Sequence, residues 1–171
     1  NGLSSNGIGG GGNGGEKYEY PKPSSKTIRL LTYNSYYCRG NTGVPAFSQA
    51  NIDNFAEVIK TLDADIVSIQ ELDSGVAGRN SRFLLDDIRK STGIDYRVIY
   101  SHAAPYDNGT IGCGILIKKS LNAEKVEMIP MAGDERRMLI IVSLKDFVFM
   151  GTHLDLNDNY RKQSAETIIY Y

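Results

Sequence analysis

Three short apolar stretches of the chain each finish in a group that can bind a cation or move a proton. LLTY runs into Asn34, IVSIQ into Glu71 and FVFMGT into His153. If those ends converge, an amide, a carboxylate and an imidazole surround one small volume, because a strand held in a core is a rigid mount for a reactive group. Such a set suits a hard divalent cation. Mg2+ takes oxygen ligands, keeps several waters and needs only one or two protein carboxylates beside phosphate oxygens. The imidazole would then hydrogen-bond a phosphoryl oxygen or take part in proton transfer. Each residue also has an ordinary reading: Asn34 as a turn residue, Glu71 as a solvated strand end. The second histidine, His102, reads as a surface or core group.

The elements that would position these groups follow from the apolar pattern. Lys26 to Tyr33 (KTIRLLTY) is rich in β-formers and reads as a mostly buried strand. Ile52, Phe55, Ala56, Ile59 and Leu62 recur at helical spacing, so Gln49 to Leu62 is expected to be an amphipathic helix. Asp65 to Gln70 (DIVSIQ) is a second apolar strand. Ser81 to Thr92 is expected to form a second helix, capped by Asn80 or Ser81 and ended by Gly93. Beyond it the pattern turns β-rich, with strands expected at Tyr96–His102, Ile111–Lys118, Lys125–Met131, Met138–Leu144 and Phe147–Thr152. Lys145-Asp146 reads as a two-residue hairpin connection, and Asn157 or Asp158 as the cap of a last helix through Ala165 and Ile168. Strand and helix in alternation, followed by hairpin strands, imply an α/β layered fold with a mixed sheet.

Composition narrows the class. Of 171 residues, 41% are hydrophobic and 23% charged, which excludes a disordered or fibrous chain. No apolar run approaches the roughly 18 residues that cross a bilayer as a helix. The 19 basic and 20 acidic residues are interspersed and nearly cancel, so the basic stripe of a protein that clamps DNA through its phosphates is missing. Cys38 and Cys113 fit neither a disulfide framework nor a metal-knuckle spacing. The opening residues, rich in Gly, Asn and Ser and lacking an initiator Met, read as a flexible tether running into the stiffer spacer YEYPKP. Residues 1–25 are thus expected to be tether and spacer, and residues 26–171 the folded domain. Such a lead suits an exported protein held off a membrane, or else a disordered end.

IRLLTYN (28–34), ADIVSIQELD (64–73), GCGILIKK (112–119) and GTHLDL (151–156) stand in an order and spacing that resembles the endonuclease/exonuclease/phosphatase superfamily. That group includes pancreatic-type deoxyribonucleases, abasic-site endonucleases, inositol-polyphosphate phosphatases and sphingomyelinases. The resemblance implies part of a four-layer α/β sandwich with mixed β-sheets, and a hydrolase of phosphoester bonds that uses Mg2+ or Mn2+. It implies that Glu71 is the main metal ligand, with Asn34 beside the metal orienting it or its water. Asp73 would position neighbouring side chains, and His153 would contact the scissile phosphate. Arg137, in an E-x-R pattern with Glu135, would touch phosphate or else form a surface ion pair. Gly112 and Gly114 would mark close packing beneath the site.

Two further elements of that family, a G-D-x-N segment and a D-H pair, do not occur in this sequence. The expectation is therefore an incomplete domain carrying about half of an active site, with the remainder supplied by a C-terminal segment. The near-zero charge leans toward a small or lipid-linked phosphoester over DNA. An alternative expectation is a truncated, non-catalytic scaffold that pairs its uncovered sheet edges in a homo-oligomer.

Overall fold

The computed structural model describes residues 20–171; the glycine-rich lead, with the tether expected there, lies outside the described residues. Helix α1 (Gln49–Leu62) forms where the periodicity places it. The Ser48 hydroxyl caps it by accepting from Asn51 N–H, and Asp63 ends it in the left-handed conformation. Its apolar stripe of Ile52, Phe55, Ala56 and Ile59 is buried together with Leu84, Leu85 and Ile88 of helix α2 (Leu84–Thr92).

Both helices cover one face of a five-stranded mixed sheet. Strands β1 (Leu30–Asn34) and β2 (Ile66–Ser74) run parallel, and β5 (Gly109–Lys118) pairs antiparallel with β2. Strands β3 (Tyr96–Tyr100) and β4 (Ala104–Tyr106) share the other edge of β5. A second, antiparallel sheet follows the order β6 (Lys125–Met131), β7 (Arg137–Ser143), β8 (Val148–Gly151). The two sheets pack face to face through Ile66, Ile115 and Ile117 on one side and Ile140, Val142 and Leu144 on the other. The outer face of the second sheet carries Met131, Leu139 and Ile141, against which Ile168 of helix α3 (Asp158–Tyr170) rests. Helices, sheet, sheet and helix make four layers, the α/β sandwich anticipated from the motifs.

Several boundaries differ from the sequence expectation for local reasons. β1 begins at Leu30 rather than Lys26, because the Arg29 N–H is taken by the Asp65 carboxylate at 2.7 Å. Lys22 also ion-pairs with Asp65 at 2.6 Å, so the end of the expected spacer is tied to the body. α2 starts at Leu84, and neither Asn80 nor Ser81 caps it. Those two residues are left-handed members of a closed loop in which Gly75 N–H donates to Arg82 O and Ser81 N–H to Val76 O. The β7–β8 ladder is regular up to Ser143 and Val148, and Leu144 N–H donates to Phe147 O at 2.9 Å in the same register, so the strands turn over the two residues Lys145 and Asp146 as expected. Strand β4 was not anticipated from the pattern. It is three residues long and two of them are exposed.

The outer edges of β1 and β8 border one recess between the sheets, lined by Leu30, Thr32, Ser68, Phe149 and Met150 among others. β1, at the sheet edge, alternates exposed and half-buried residues, with Leu30 55% exposed, and is not the buried strand its composition predicts. Both cysteines are free and buried. Among the described residues no helix is long and apolar enough to cross a membrane.

Candidate functional site

Glu71 sits where β2 departs from regular geometry. Ile69 pairs with Gly114 and Leu72 with Gly112, so two residues of β2, Gln70 and Glu71, stand opposite the single Cys113. This bulge puts Glu71 at φ +57°, a conformation uncommon for a non-glycine residue. The turn after β1 bonds to it. Ser35 N–H donates to Gln70 O at 3.0 Å, and the Ser35 hydroxyl to Glu71 O at 2.7 Å. A bulge re-aims the side chain it carries, and here that side chain faces a small pocket at the meeting of the two sheets.

The pocket measures about 20 Å³, room for one small ion or water, and is bordered by Glu71, Tyr37, Gly112, Glu135, Arg137 and His153. Close packing of the sheets brings His153 there. A Cβ on Gly151, two residues earlier, would lie 2.8 Å from the Ser68 hydroxyl and 3.1 Å from Ile115. Only glycine lets β8 approach so closely, and His153 follows directly from it. Gly112 and Gly114 act likewise on the other side: a Cβ would meet the Ser101 hydroxyl at 2.5 Å and Leu85 at 2.4 Å.

Arg137 is held from two sides. Its Nη1 donates to Glu135 at 3.1 Å, and its Nε lies 3.4 Å from Asp155. Asp155 is itself buried and accepts from Asp134 N–H and Asn157 N–H. The Glu135 pair is therefore real, but with a side chain only 15% exposed Arg137 belongs to the pocket wall and not to the open surface. Burial and the Arg137 charge together push the His153 imidazole below its ordinary range, against the opposite pull of Glu71, Glu135 and Asp155. A neutral imidazole beside a guanidinium can accept a proton or a hydrogen bond where negative charge develops. Tyr37 is pushed up by burial and by the nearby Glu135 and Glu71, so its phenol stays a hydrogen-bond donor.

Asp73 lies fully buried two residues past Glu71 and does not line the pocket. It pairs with Arg82 at 3.2 Å and Arg79 at 3.5 Å. Arg82 in turn donates to the backbone oxygens of Tyr37 and Phe47, so this carboxylate anchors the loop between β1 and α1. Asn34 is placed differently from Glu71 and His153. Its Oδ1 accepts from Tyr36 N–H at 2.9 Å, and it borders a separate recess with Tyr33, Asn51 and Phe55. The structure thus gathers Glu71, Arg137 and His153, leaves Asn34 at the adjoining strand end, and sets Asp73 behind them. Ser35, Tyr37 and Asp155 were not singled out from the sequence. Asp155 closes the THLD segment and Ser35 follows directly on Asn34, which was the available signal.

Among the described residues no group of three or more acidic, histidine or cysteine side chains converges. Two carboxylates, Glu71 and Glu135, do share the pocket. Hard oxygen donors in that number fit Mg2+ and not a closed nitrogen and sulfur zinc centre.

The sequence profile of the Endonuclease/Exonuclease/phosphatase family matches residues 31–159. The chain belongs to that family. Solved structures agree on the fold. An endonuclease/exonuclease/phosphatase from Bacteroides vulgatus superposes with a TM-score of 0.65 at 19% identity, over 84% of this chain and 59% of its own. A family protein from Leptotrichia buccalis gives 0.62 at 16% identity, over 84% and 61%. A truncated TDP2 from Caenorhabditis elegans gives 0.54 at 17% identity, over 84% and 52%. The chain therefore spans between half and two-thirds of the length of these solved structures. No curated protein matches it.

Proposed function

We propose that this chain carries the metal- and phosphate-holding part of a Mg2+-dependent phosphoester hydrolase. The observation that carries the reading is the convergence of Glu71, Arg137 and His153 on one ion-sized pocket in a member of this family. Glu71, with Glu135 as the second carboxylate, would hold the ion; a bound Mg2+ supplies charge that neutralises a phosphoryl oxygen. The chain's own groups do the remaining work. Arg137, held between Glu135 and Asp155, offers a fixed guanidinium to a phosphate oxygen. His153, kept neutral by burial and by Arg137, accepts a proton or hydrogen bond at the reacting phosphoryl group. Tyr37, which also lines the pocket, offers its phenol as a donor. A small phosphoester is favoured over DNA, in keeping with the net charge of −1.

Hydrolysis of bis(4-nitrophenyl) phosphate, with and without chelator, tests the proposal in the longest natural polypeptide that contains this chain. Glu71→Gln is expected to lower the rate at least a hundredfold. Full activity in chelator, or in Glu71→Gln, overturns the reading. The glycine-rich lead supports a tethered, exported setting, which fractionation of the producing cells checks.

A second reading, a non-catalytic assembly module, has one observation in its favour: the outer edges of β1 and β8 border the same recess. Such edges pair with other strands. A strictly monomeric chain by light scattering excludes it.

A further inference from the structure

Arg136 borders the same ion-sized pocket as Glu71 and His153 and stays exposed to solvent. Its backbone lies between two fixed points. Asp134 N–H donates to the buried Asp155 carboxylate at 3.1 Å, and Arg137 Nε lies 3.4 Å from the same oxygen. Gly133 lets the connection between β6 and β7 close this tightly, because a Cβ there would stand 2.9 Å from that oxygen and 3.0 Å from Arg137 Cγ. The chain at Arg136 is thereby pinned to the pocket wall, and only its side chain is left free.

The charges of the wall leave this side chain unmatched. Glu135 is engaged by Arg137 at 3.1 Å, and among the described residues Arg136 has no ion pair and no side-chain hydrogen bond. Asp134, the other acid of the connection, is exposed and does not line the pocket. Three carboxylates, Glu71, Glu135 and Asp155, stand against the one guanidinium of Arg137, an excess of two negative charges. A divalent cation held there would cancel that excess. A phosphoester entering the pocket brings at least one further negative charge, and Arg137 is already shared between two carboxylates. Arg136 is the counter-charge that remains.

We propose that Arg136 is a substrate-binding residue that pairs with the charge of the incoming phosphoester at the mouth of the pocket, a role that rests on the phosphoester reading given above. Its exposure suits capture and not chemistry. An exposed guanidinium attracts an anion before it docks, and salt screens that attraction. Its planar donors then match two phosphate oxygens. Arg137, fixed and mostly shielded, contacts the phosphoryl group once it is seated. Arg136 therefore acts on KM and not on kcat.

Steady-state hydrolysis of bis(4-nitrophenyl) phosphate in Mg2+, at low and at raised salt, tests this in the longest natural polypeptide that contains the chain. Arg136→Gln is expected to raise KM at least fivefold with less than a twofold loss of kcat, and to flatten the rise of KM with salt. Arg136→Lys should stay within twofold of the parent protein. An unchanged KM in Arg136→Gln overturns the role and leaves the hydrolase reading standing, as does a KM raised equally by lysine and glutamine. Calorimetric titration of the same proteins with inorganic phosphate in Mg2+ reads the site without turnover. Phosphate affinity that falls at least fivefold in Arg136→Gln, in a parent protein without chelator-sensitive hydrolysis, supports Arg136 and defeats the hydrolase reading. Absence of both hydrolysis and phosphate binding overturns both.

Discussion

The hydroxyl of Ser35 donates to the carbonyl of Glu71 at 2.7 Å across 36 residues of sequence. This contact ties the turn after β1 to the bulge of β2, which carries the carboxylate that lines the pocket. A buried serine at a strand end is therefore part of how the site is built.

Removing that hydroxyl leaves the Glu71 carbonyl short of a partner. Ser35→Ala is expected to lower stability by about 1 kcal/mol. Urea unfolding of the two proteins measures it, and an unchanged midpoint would show that the bulge is held by other means.

Glu71 itself is strained at φ +57°. Glu71→Gly should be more stable than Glu71→Ala by about 1 kcal/mol, because glycine adopts this conformation freely. Both variants remove the carboxylate, so the comparison isolates the backbone. Alanine matching glycine in the same unfolding assay would rule strain out.

Asp73 is fully buried between Arg79 and Arg82. Asp73→Ala leaves two guanidinium groups without their carboxylate and is expected to cost about 3–5 kcal/mol. The near-ultraviolet dichroism of the tyrosines should change as well, since Tyr37 and Phe47 are positioned through Arg82. A loss below 1 kcal/mol would mean that the loop does not depend on this ion pair.

His153 is held below its ordinary value of 6.5, first by burial and then by Arg137. On acidification the unfolded chain takes up this proton before the folded one does. The stabilisation is complete above the unfolded value and is lost as pH falls through the folded value. His153→Gln should flatten the stability profile on the acid side of neutrality. Arg137→Gln should raise the imidazole pKa in an NMR titration; a fall, or no change, would contradict the assigned charge coupling.

Cys38 is pushed up to about 12 by burial, and Cys113 is raised for the same reason. Thiolate is the reactive form. Neither thiol should react with Ellman's reagent in the native protein within the time that both react in denaturant. Rapid labelling of the native chain would contradict the burial of both.

Much of this protein is decided by the sequence alone. The apolar spacing of Ile52, Phe55 and Ile59 determines α1 to the residue, since a local period needs no distant partner. The motifs around Glu71, Asp73 and His153 identify the family. The sheet interior is equally readable, from Ile66 to Ile69 and from Ile115 to Ile117.

Only the tertiary structure decides how these groups face one another. Glu71 bulges because Ser35 reaches it, Asp73 finds Arg79 and Arg82, and Arg82 grips Tyr37 from 45 residues away. Asn34, paired in register with Gln70, accepts from Tyr36 N–H, and β1 stays half exposed at a sheet edge. Each outcome depends on contacts between segments far apart in the chain. A pattern read along one segment gives the period of its burial but carries no record of which distant segment supplies the partner, so side-chain direction is settled only when the sheets close.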